Sequence, residues 1–493
     1  MSPIRRDPAA LEQANYDLIV IGGGIYGAML SLEAGFRGLR SLLLEKDDFG
    51  GATSYNSLRI IHGGFRYLQT LDLKRFYESV GERKWFLKTF PDLVKPLPCL
   101  IPLYGQGAKR PSILTGALGL NDLLSVRRNS GVSKDCQLPR GKMVDIATVR
   151  SHFPNVDTAG LKGGALWFDA SMSDSQRVLI NVLRWAATLG GTALNYVKAE
   201  EVLSQQNKVI GVRGRDTIAD KSYEYKAPIV INACGPQAGE LAQSTDLFRP
   251  SLAWNLLFDR PALSRFALAI APKQLNAQTY FLHPWKNRLL AGTIHSPWNQ
   301  SIDTHPKPSE QQIETFINNL NKAIPNLDLQ RSEVVRILAG ILPVKQTGSV
   351  QLCSKETIIN SETEGFYSIA GVKFTTSRLV AHRTLKRIFP DRERQETKQP
   401  KPSLAGQYDY DWKPSEGEDW LLPLKKIVAD EAVLHLDDLL FRRTSLADNP
   451  KRGIACSQPI VKMMSEILDW KKQRCDEELK RVRQTVQLSK QSL

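Results

Sequence analysis

The chain has 493 residues, more than one ordinary hydrophobic core organises, so two or three domains are expected. Its hydrophobic fraction of 42% suits a globular protein, and no uncharged run is long enough to span a bilayer as a helix. The formal charge of +15 has three explanations, namely nucleic acid, an anionic membrane surface or anionic small molecules, and no nucleic-acid motif accompanies it.

Much of the basic excess lies in 451–490, which reads first as a solvated basic face and second as attraction to a membrane surface. Met1 to Asn15 is polar and lacks the apolar core of a signal peptide. The six cysteines (Cys99, Cys136, Cys234, Cys353, Cys456 and Cys475) form no CxxC pair, so neither a zinc site nor a disulfide framework is expected. Reduced thiols suit the cytosol, and a cytoplasmic protein is expected, with attachment to the inner face of the membrane as the second reading.

The first elements are also the most informative. Asp17 to Ile21 is an apolar, β-branched run that predicts a buried strand. It enters Gly22-Gly23-Gly24-Ile25-Tyr26-Gly27, a G-x-G-x-x-G, and Ala28 to Phe36 then reads as a helix. A second strand, Ser41 to Leu44, ends in Glu45. In such a βαβ unit Gly22 permits the tight turn, Gly24 admits a pyrophosphate to the backbone, and Gly27 lets the helix pack on the sheet. The helix N-terminus offers free N–H groups to phosphate, and Glu45 can accept from a ribose diol. A lone glycine motif is weak. Here strand, glycines, helix, strand and acid arrive in order, and dinucleotide binding follows.

Gly50 to Tyr67 is the second dense region. It holds the hydroxyls Thr53, Ser54 and Ser57, then Arg59, His62, Gly63, Gly64, Arg66 and Tyr67. Cations and glycines just past a nucleotide unit suit a backbone wrapped around phosphate or substrate. Taken singly, His62 is as readily a structural histidine and Arg66 a surface arginine. Farther on, Ala193 to Lys198 and Ile229 to Cys234 read as strands, while Gln278 to Leu282 and Arg288 to Thr293 suit an antiparallel pair. Residues 391–415, rich in charge and proline, read as a linker, and 416–493 as helices. Ile460 to Gln487 is basic and only partly amphipathic, a packed or solvated helix rather than a membrane anchor.

Four ordered segments carry a resemblance. Ile61 to Leu68 (IHGGFRYL) resembles the HGG-x-RYL signature of FAD-dependent glycerol-3-phosphate dehydrogenases, flavoproteins of the DAO type, and Glu45 to Phe49 (EKDDF) matches the same family. Ala370 to Arg378 (AGVKFTTSR) is similar to its G-G-K-x-T-T-x-R, and Leu436 to Thr444 (LDDLLFRRT) to its L-D-D-L-L-x-R-R-T. The resemblance implies FAD rather than NAD. It implies an α/β fold: an FAD-binding, Rossmann-like parallel-sheet domain, an inserted antiparallel-sheet substrate domain and a C-terminal helical cap. The expected boundaries are 15–95, 155–245 and 340–395 for the flavin domain, 96–150 and 246–339 for the substrate domain, and 416–493 for the cap.

By the same resemblance Gly22, Gly24, Gly27 and Glu45 hold the nucleotide, and Thr53 and Ser54 line the phosphates. The backbone at Val197 meets the adenine, Gly235 closes a strand beneath it, and Gly371, Lys373 and Thr375 sit beside the flavin ring. Cys234 stands where threonine is usual. The implied chemistry is hydride transfer from a secondary alcohol to the flavin, with a base to take the hydroxyl proton. His62 and Lys373 are the candidate bases, and Arg66 and Tyr67 hold the anionic group and the incipient carbonyl. No metal is expected. The partners implied are a small-molecule substrate and an electron acceptor such as a quinone.

The substrate-facing segments depart from the family pattern. Leu342 replaces the arginine of A-G-V-R-P, Ile294-His295 replaces T-D, and Trp254-Asn255-Leu256 replaces a G-x-H strand. A second substrate arginine falls near Ser354 and Lys355. Exchanging arginine for leucine at a bidentate phosphate site is not neutral. Glycerol 3-phosphate is therefore expected to be a poor substrate. An amine or hydroxy-acid oxidation, or a flavoprotein that no longer turns over, are the other readings.

Overall fold

The computed structural model describes residues 1–105, 110–244, 247–272, 278–302, 304–353, 356–371 and 373–491. Its centre is a six-stranded sheet in the order Thr357–Asn360, Phe366–Ala370, Val230–Asn232, Leu18–Ile21, Ser41–Leu44, Thr192–Leu194. All neighbours run parallel except the first pair. Leu18–Ile21 is fully buried because both faces are covered, which is why its sequence is apolar without alternation. The helix Ile25–Gly35 lies on this sheet beside Ser175–Thr188 and Ser377–Ile388. It begins three residues earlier than the apolar pattern suggests, because the Ile25 N–H is capped by the Ser54 hydroxyl at 3.0 Å.

The run Ala193 to Lys198 is not one strand. Thr192–Leu194 ends the parallel sheet, Tyr196 turns the chain at φ +56°, and Val197–Gln205 opens a three-stranded antiparallel meander with Lys208–Asp216 and Lys221–Lys226. Both halves are apolar enough to pair, so the break was silent in the pattern.

The second large sheet has nine strands and is antiparallel apart from one parallel pairing, Ala267–Ile270 on Val94–Pro102. Its order is Val334–Pro343, Pro250–Pro261, Arg288–Pro297, Tyr280–Trp285, Ala267–Ile270, Val94–Pro102, Gly164–Met172 and Ile60–Ile61, with Lys142–Val144 also paired to Gly164–Met172. Gly164–Met172 and Ile60–Ile61 fall within sequence ranges expected for the flavin part, yet they pair here. Their partners are distant in sequence, and strand pairing of that kind leaves no local trace. Helix Glu310–Ala323, opened by a Ser309–Gln312 capping box, covers one face of the sheet through Ile313, Phe316 and Leu320. The other face shares a core with helix Pro111–Leu124 through Leu257, Leu290 and Leu338.

The C-terminal part packs Leu422–Asp430, Pro450–Leu468 and Lys472–Leu488 around Leu424, Leu436, Leu440, Ile460 and Met464. The basic stretch beginning at Ile460 is two helices, divided at Asp469, and Val482 and Val486 are buried in this core. Among the described residues no helix is long and apolar enough to cross a membrane. The expected linker is irregular but held: the Gln395 N–H donates to the Phe36 carbonyl at 2.7 Å, and Tyr410 is only 2% exposed.

Candidate active site

A cavity of about 1940 Å³ lies between the two large sheets. A single small-molecule site commonly occupies roughly 300–1,000 Å³, so this one has room for a dinucleotide and a substrate together. One end is bounded by Gly22, Gly24, Glu45, Thr53, Ser54 and Gly235, and the other by His62, Arg66, Tyr67, Lys373, His295 and Leu342.

The nucleotide end is mostly backbone. Parallel strands deliver the glycine turn to their C-terminal edge, where strand order reverses and ligands bind in such sheets. A Cβ at Gly24 would meet only the Ser54 hydroxyl, at 3.3 Å, so this face is an open cradle. A Cβ at Gly27 would sit 1.9 Å from the Gly22 carbonyl; Gly27 serves helix packing and is not on the cavity wall. Glu45 lines the cavity and accepts from the Gly23 N–H at 2.6 Å and the Asp47 N–H at 2.9 Å. Burial raises its pKa to about 7 against those hydrogen bonds. The Thr53 hydroxyl donates to the Ile341 carbonyl at 3.2 Å, tying the loop to the second sheet. Val197 is fully buried and its N–H is committed to the Glu45 carbonyl at 2.8 Å; the wall at that point is Tyr196 and Lys198. Thr375 is buried on the wall near Gly371 and Lys373.

The substrate end is mostly side chain. The Lys373 Nζ lies 4.5 Å from the centre of the Tyr67 ring. Burial, and then the charge of Arg66, lower the Lys373 pKa to about 8. Its backbone is fixed by Tyr26, whose hydroxyl donates to the Lys373 carbonyl at 2.9 Å and accepts from the Lys373 N–H at 3.1 Å. Gly371 has to be glycine here, since a Cβ would lie 2.0 Å from the Tyr26 ring. Nothing in the sequence marks Tyr26, which occupies a variable position of the glycine turn.

His62 is half-exposed, with Nδ1 3.9 Å from an Asp169 carboxylate oxygen. Asp169 accepts from the Gly63 N–H at 2.6 Å, Arg83 at 2.9 Å and the Trp167 Nε1–H at 3.2 Å. Burial would raise the Asp169 pKa, but His62 and Arg83 outweigh it and bring it down to about 2. Asp169 is thus a permanent anion that shapes the His62–Gly64 turn. Sequence reading missed it, because it comes from a strand more than a hundred residues away.

The roof is Asn255, Thr293, His295 and Leu342 on neighbouring antiparallel strands. The Thr293 hydroxyl donates to Asn255 Oδ1 at 2.7 Å. Burial, and then the charge of Arg66, lower the pKa of His295. Leu342, expected at the family's arginine position, stands on the cavity wall. Ser354 and Lys355 lie outside the described residues.

The donor set suits a dinucleotide carrying a redox ring: a glycine cradle, a capped helix start, a buried ribose acid, and room beyond them lined by cations. Residues 17–387 match the family described as FAD dependent oxidoreductase (DAO). Among curated relatives, the glycerol-3-phosphate dehydrogenase of Synechocystis sp. is 29% identical over 407 residues, covering 77% of this chain and 71% of that protein. The mitochondrial glycerol-3-phosphate dehydrogenase of Homo sapiens is 27% identical over 413 residues, covering 78% of this chain, which spans only 55% of that relative's length. Among solved structures, the glycerol-3-phosphate dehydrogenase from Bacillus halodurans complexed with FAD superposes with a TM-score of 0.76 at 20% identity, covering 99% of this chain and 97% of that one. The protein therefore belongs to the DAO family of FAD dependent oxidoreductases, and its cofactor is FAD.

Proposed function

We propose that the protein oxidises the secondary alcohol of a small anionic polyol, a reaction like that of its glycerol-3-phosphate dehydrogenase relatives. The observation that carries this reading is Lys373, a lysine with its pKa lowered to about 8, standing over Tyr67 beside Arg66 on the wall of the flavin cavity. Bound FAD supplies the two-electron acceptor. Arg66 attracts the anionic group of the substrate, and burial together with Arg66 leaves part of Lys373 neutral. The neutral amine takes the hydroxyl proton, and Tyr67 gives a hydrogen bond to the oxygen as it becomes a carbonyl. His62, placed by the permanent charge of Asp169, is the second group able to hold that proton.

With Leu342 at the family's arginine position, the reading favours a substrate that needs fewer cations than a phosphate dianion. The test is anaerobic bleaching of the bound flavin against glycerol 3-phosphate, polyol carboxylic acids, uncharged polyols, simple 2-hydroxy acids and amino acids. Bleaching by an anionic polyol is expected, with glycerol 3-phosphate slow or weak. Bleaching by amino acids alone would overturn the reading.

A membrane-side acceptor such as a quinone fits one surface. Leu71, Leu123 and Val126 are 70%, 72% and 76% exposed, around the packing of helix Pro111–Leu124 on the Phe65–Thr70 turn. Lys74 and Arg127 are exposed in the same segments. Apolar side chains ringed by cations suit the surface of an anionic bilayer. Co-sedimentation with vesicles containing phosphatidylglycerol is expected, and its loss in Leu123→Glu. Equal recovery of both proteins with the vesicles would remove this part.

A further inference from the structure

The segment Leu436–Thr444 has no part in the chemistry above, yet its charges are buried together at one edge of the cavity. Asp48, 3% exposed, accepts from two nitrogens of Arg443 at 2.7 Å each and from Arg442 at 2.6 Å. Arg442 continues to Asp437 at 2.8 Å and Asp438 at 2.6 Å, and Arg481 donates to Asp437 at 2.7 Å. Three arginines thus face three aspartates. Burial alone would push Asp48 up, but Arg443 and Arg442 outweigh it and hold its carboxyl well below the usual range. Buried pairs survive desolvation only with such complete, charge-assisted bonding.

The position of this network is its most informative property. Asp48 closes the loop that begins at Glu45, the ribose acid. The opposite side of that loop is gripped by Tyr196, whose N–H donates to the Asp47 carbonyl at 2.9 Å and whose hydroxyl donates to Asp438 at 2.6 Å. Asn195 Nδ2 bridges Asp48 and the Ala432 carbonyl at 2.9 Å each. Asp437, Arg442 and Arg481 stand on the cavity wall with Glu45, Lys46, Tyr196 and Lys198. The family model ends at residue 387, so Arg442, Arg443 and Arg481 lie beyond it, while Leu436–Thr444 resembles a motif of the glycerol-3-phosphate dehydrogenases.

We propose that the C-terminal helical domain retains the cofactor: Arg442 and Arg443 hold the Glu45–Asp48 loop where Glu45 faces the cavity, and Arg442 and Arg481 complete the wall at the nucleotide end. A purely architectural role would make the network one of several domain fasteners. The boundary has another. Lys286 of the second sheet holds Asp448 of the C-terminal part at 2.5 Å, and neither residue lines the cavity.

The two roles separate by titrating FAD into the flavin-stripped full-length protein, followed by flavin fluorescence quenching, with the melting temperature of each variant measured alongside. Arg442→Met and Arg443→Met are expected to weaken FAD binding by at least about 10-fold, as for a lost charged hydrogen bond. Arg481→Met, at a half-exposed pair, is expected to weaken it by about 3-fold. Lys286→Met is expected to lower the melting temperature but leave FAD affinity within about 2-fold, as for a site that shares no partner with the network. Where Arg443→Met does not fold, the paired change Asp48→Asn with Arg443→Gln removes both buried charges together and carries the same expectation. Unchanged FAD affinity in the folded Arg442 and Arg443 variants, or an equal loss in Lys286→Met, would overturn the proposal and leave the network a domain fastener.

Discussion

The two ends of the cavity are built by different means. The nucleotide end comes largely from one contiguous unit, Leu18 to Glu45, and its contacts are backbone N–H groups, a capped helix start and one acid. The substrate end is assembled from side chains of segments near 62–67, 169, 255, 293–295, 342 and 371–375, drawn from both sheets. Backbone geometry depends on glycines and strand order, and it tolerates drift elsewhere in the sequence. A side-chain site changes with each substitution. The first end carries the glycine turn and the acid, and the proposal is that Leu342, Asn255 and His295 at the second bear on the choice of substrate. On that proposal, binding of FAD and choice of substrate are separable in this fold.

The strongest way to break the nucleotide end is Gly24→Val. Its side chain would fill the open cradle in front of Ser54, and loss of detectable flavin is expected in the purified protein. A yellow variant with FAD at full occupancy would mean that the pyrophosphate lies elsewhere.

At the other end, Lys373→Met is expected to keep FAD but slow flavin reduction by about 10²-fold or more in stopped-flow measurements, the usual cost of a lost acid–base or electrostatic group. The pH profile sharpens this. A neutral amine is needed, and the Lys373 pKa is about 8, so the reduction rate should rise about 10-fold per pH unit below 8 and level off above it. Arg66→Met removes a charge that lowers that pKa, so the break in the profile should move to higher pH. A profile flat from pH 6 to 9 in the wild type would take the base role away from Lys373.

Leu342→Arg restores a cation on the wall. A charge-assisted phosphate contact contributes about 1.5–3 kcal/mol, so the KM for glycerol 3-phosphate should fall by roughly 10- to 150-fold. Micromolar affinity of the unmodified protein for glycerol 3-phosphate would show that other groups already supply the charge.

The smallest effect concerns Glu45. In the proposed role its ionised form accepts from the ribose, and its pKa lies near 7, so FAD affinity should decline as pH falls from 8 to 6. Glu45→Gln should flatten that dependence, as read by flavin fluorescence. An identical slope in both proteins would assign the titration to another group.

Much of the nucleotide end was legible in the chain itself, because strand, turn, helix and acid are consecutive and their spacing reflects local geometry. Gly22, Gly24, Gly27 and Glu45 take the positions that this unit demands. His62, Arg66, Tyr67 and Lys373 entered through the resemblance, and composition alone would have left His62 and Arg66 undecided. Asp169 and Tyr26 could not be found that way. One comes from a strand paired across the second sheet, and the other acts through a hydroxyl aimed at a backbone more than three hundred residues away.

By itself, then, the sequence determined the dinucleotide unit and, through ordered segments, the flavin family, because periodicity, glycine spacing and capping are properties of neighbours along the chain. Tertiary structure alone decided that Gly164–Met172 joins the second sheet, that Leu342 reaches the cavity, and that Arg442 and Arg443 close on Asp48. The physical reason is the same in each case. Strand pairing and buried ion pairs are made between residues far apart in the chain, and the free energy that selects the partner resides in the assembled interior.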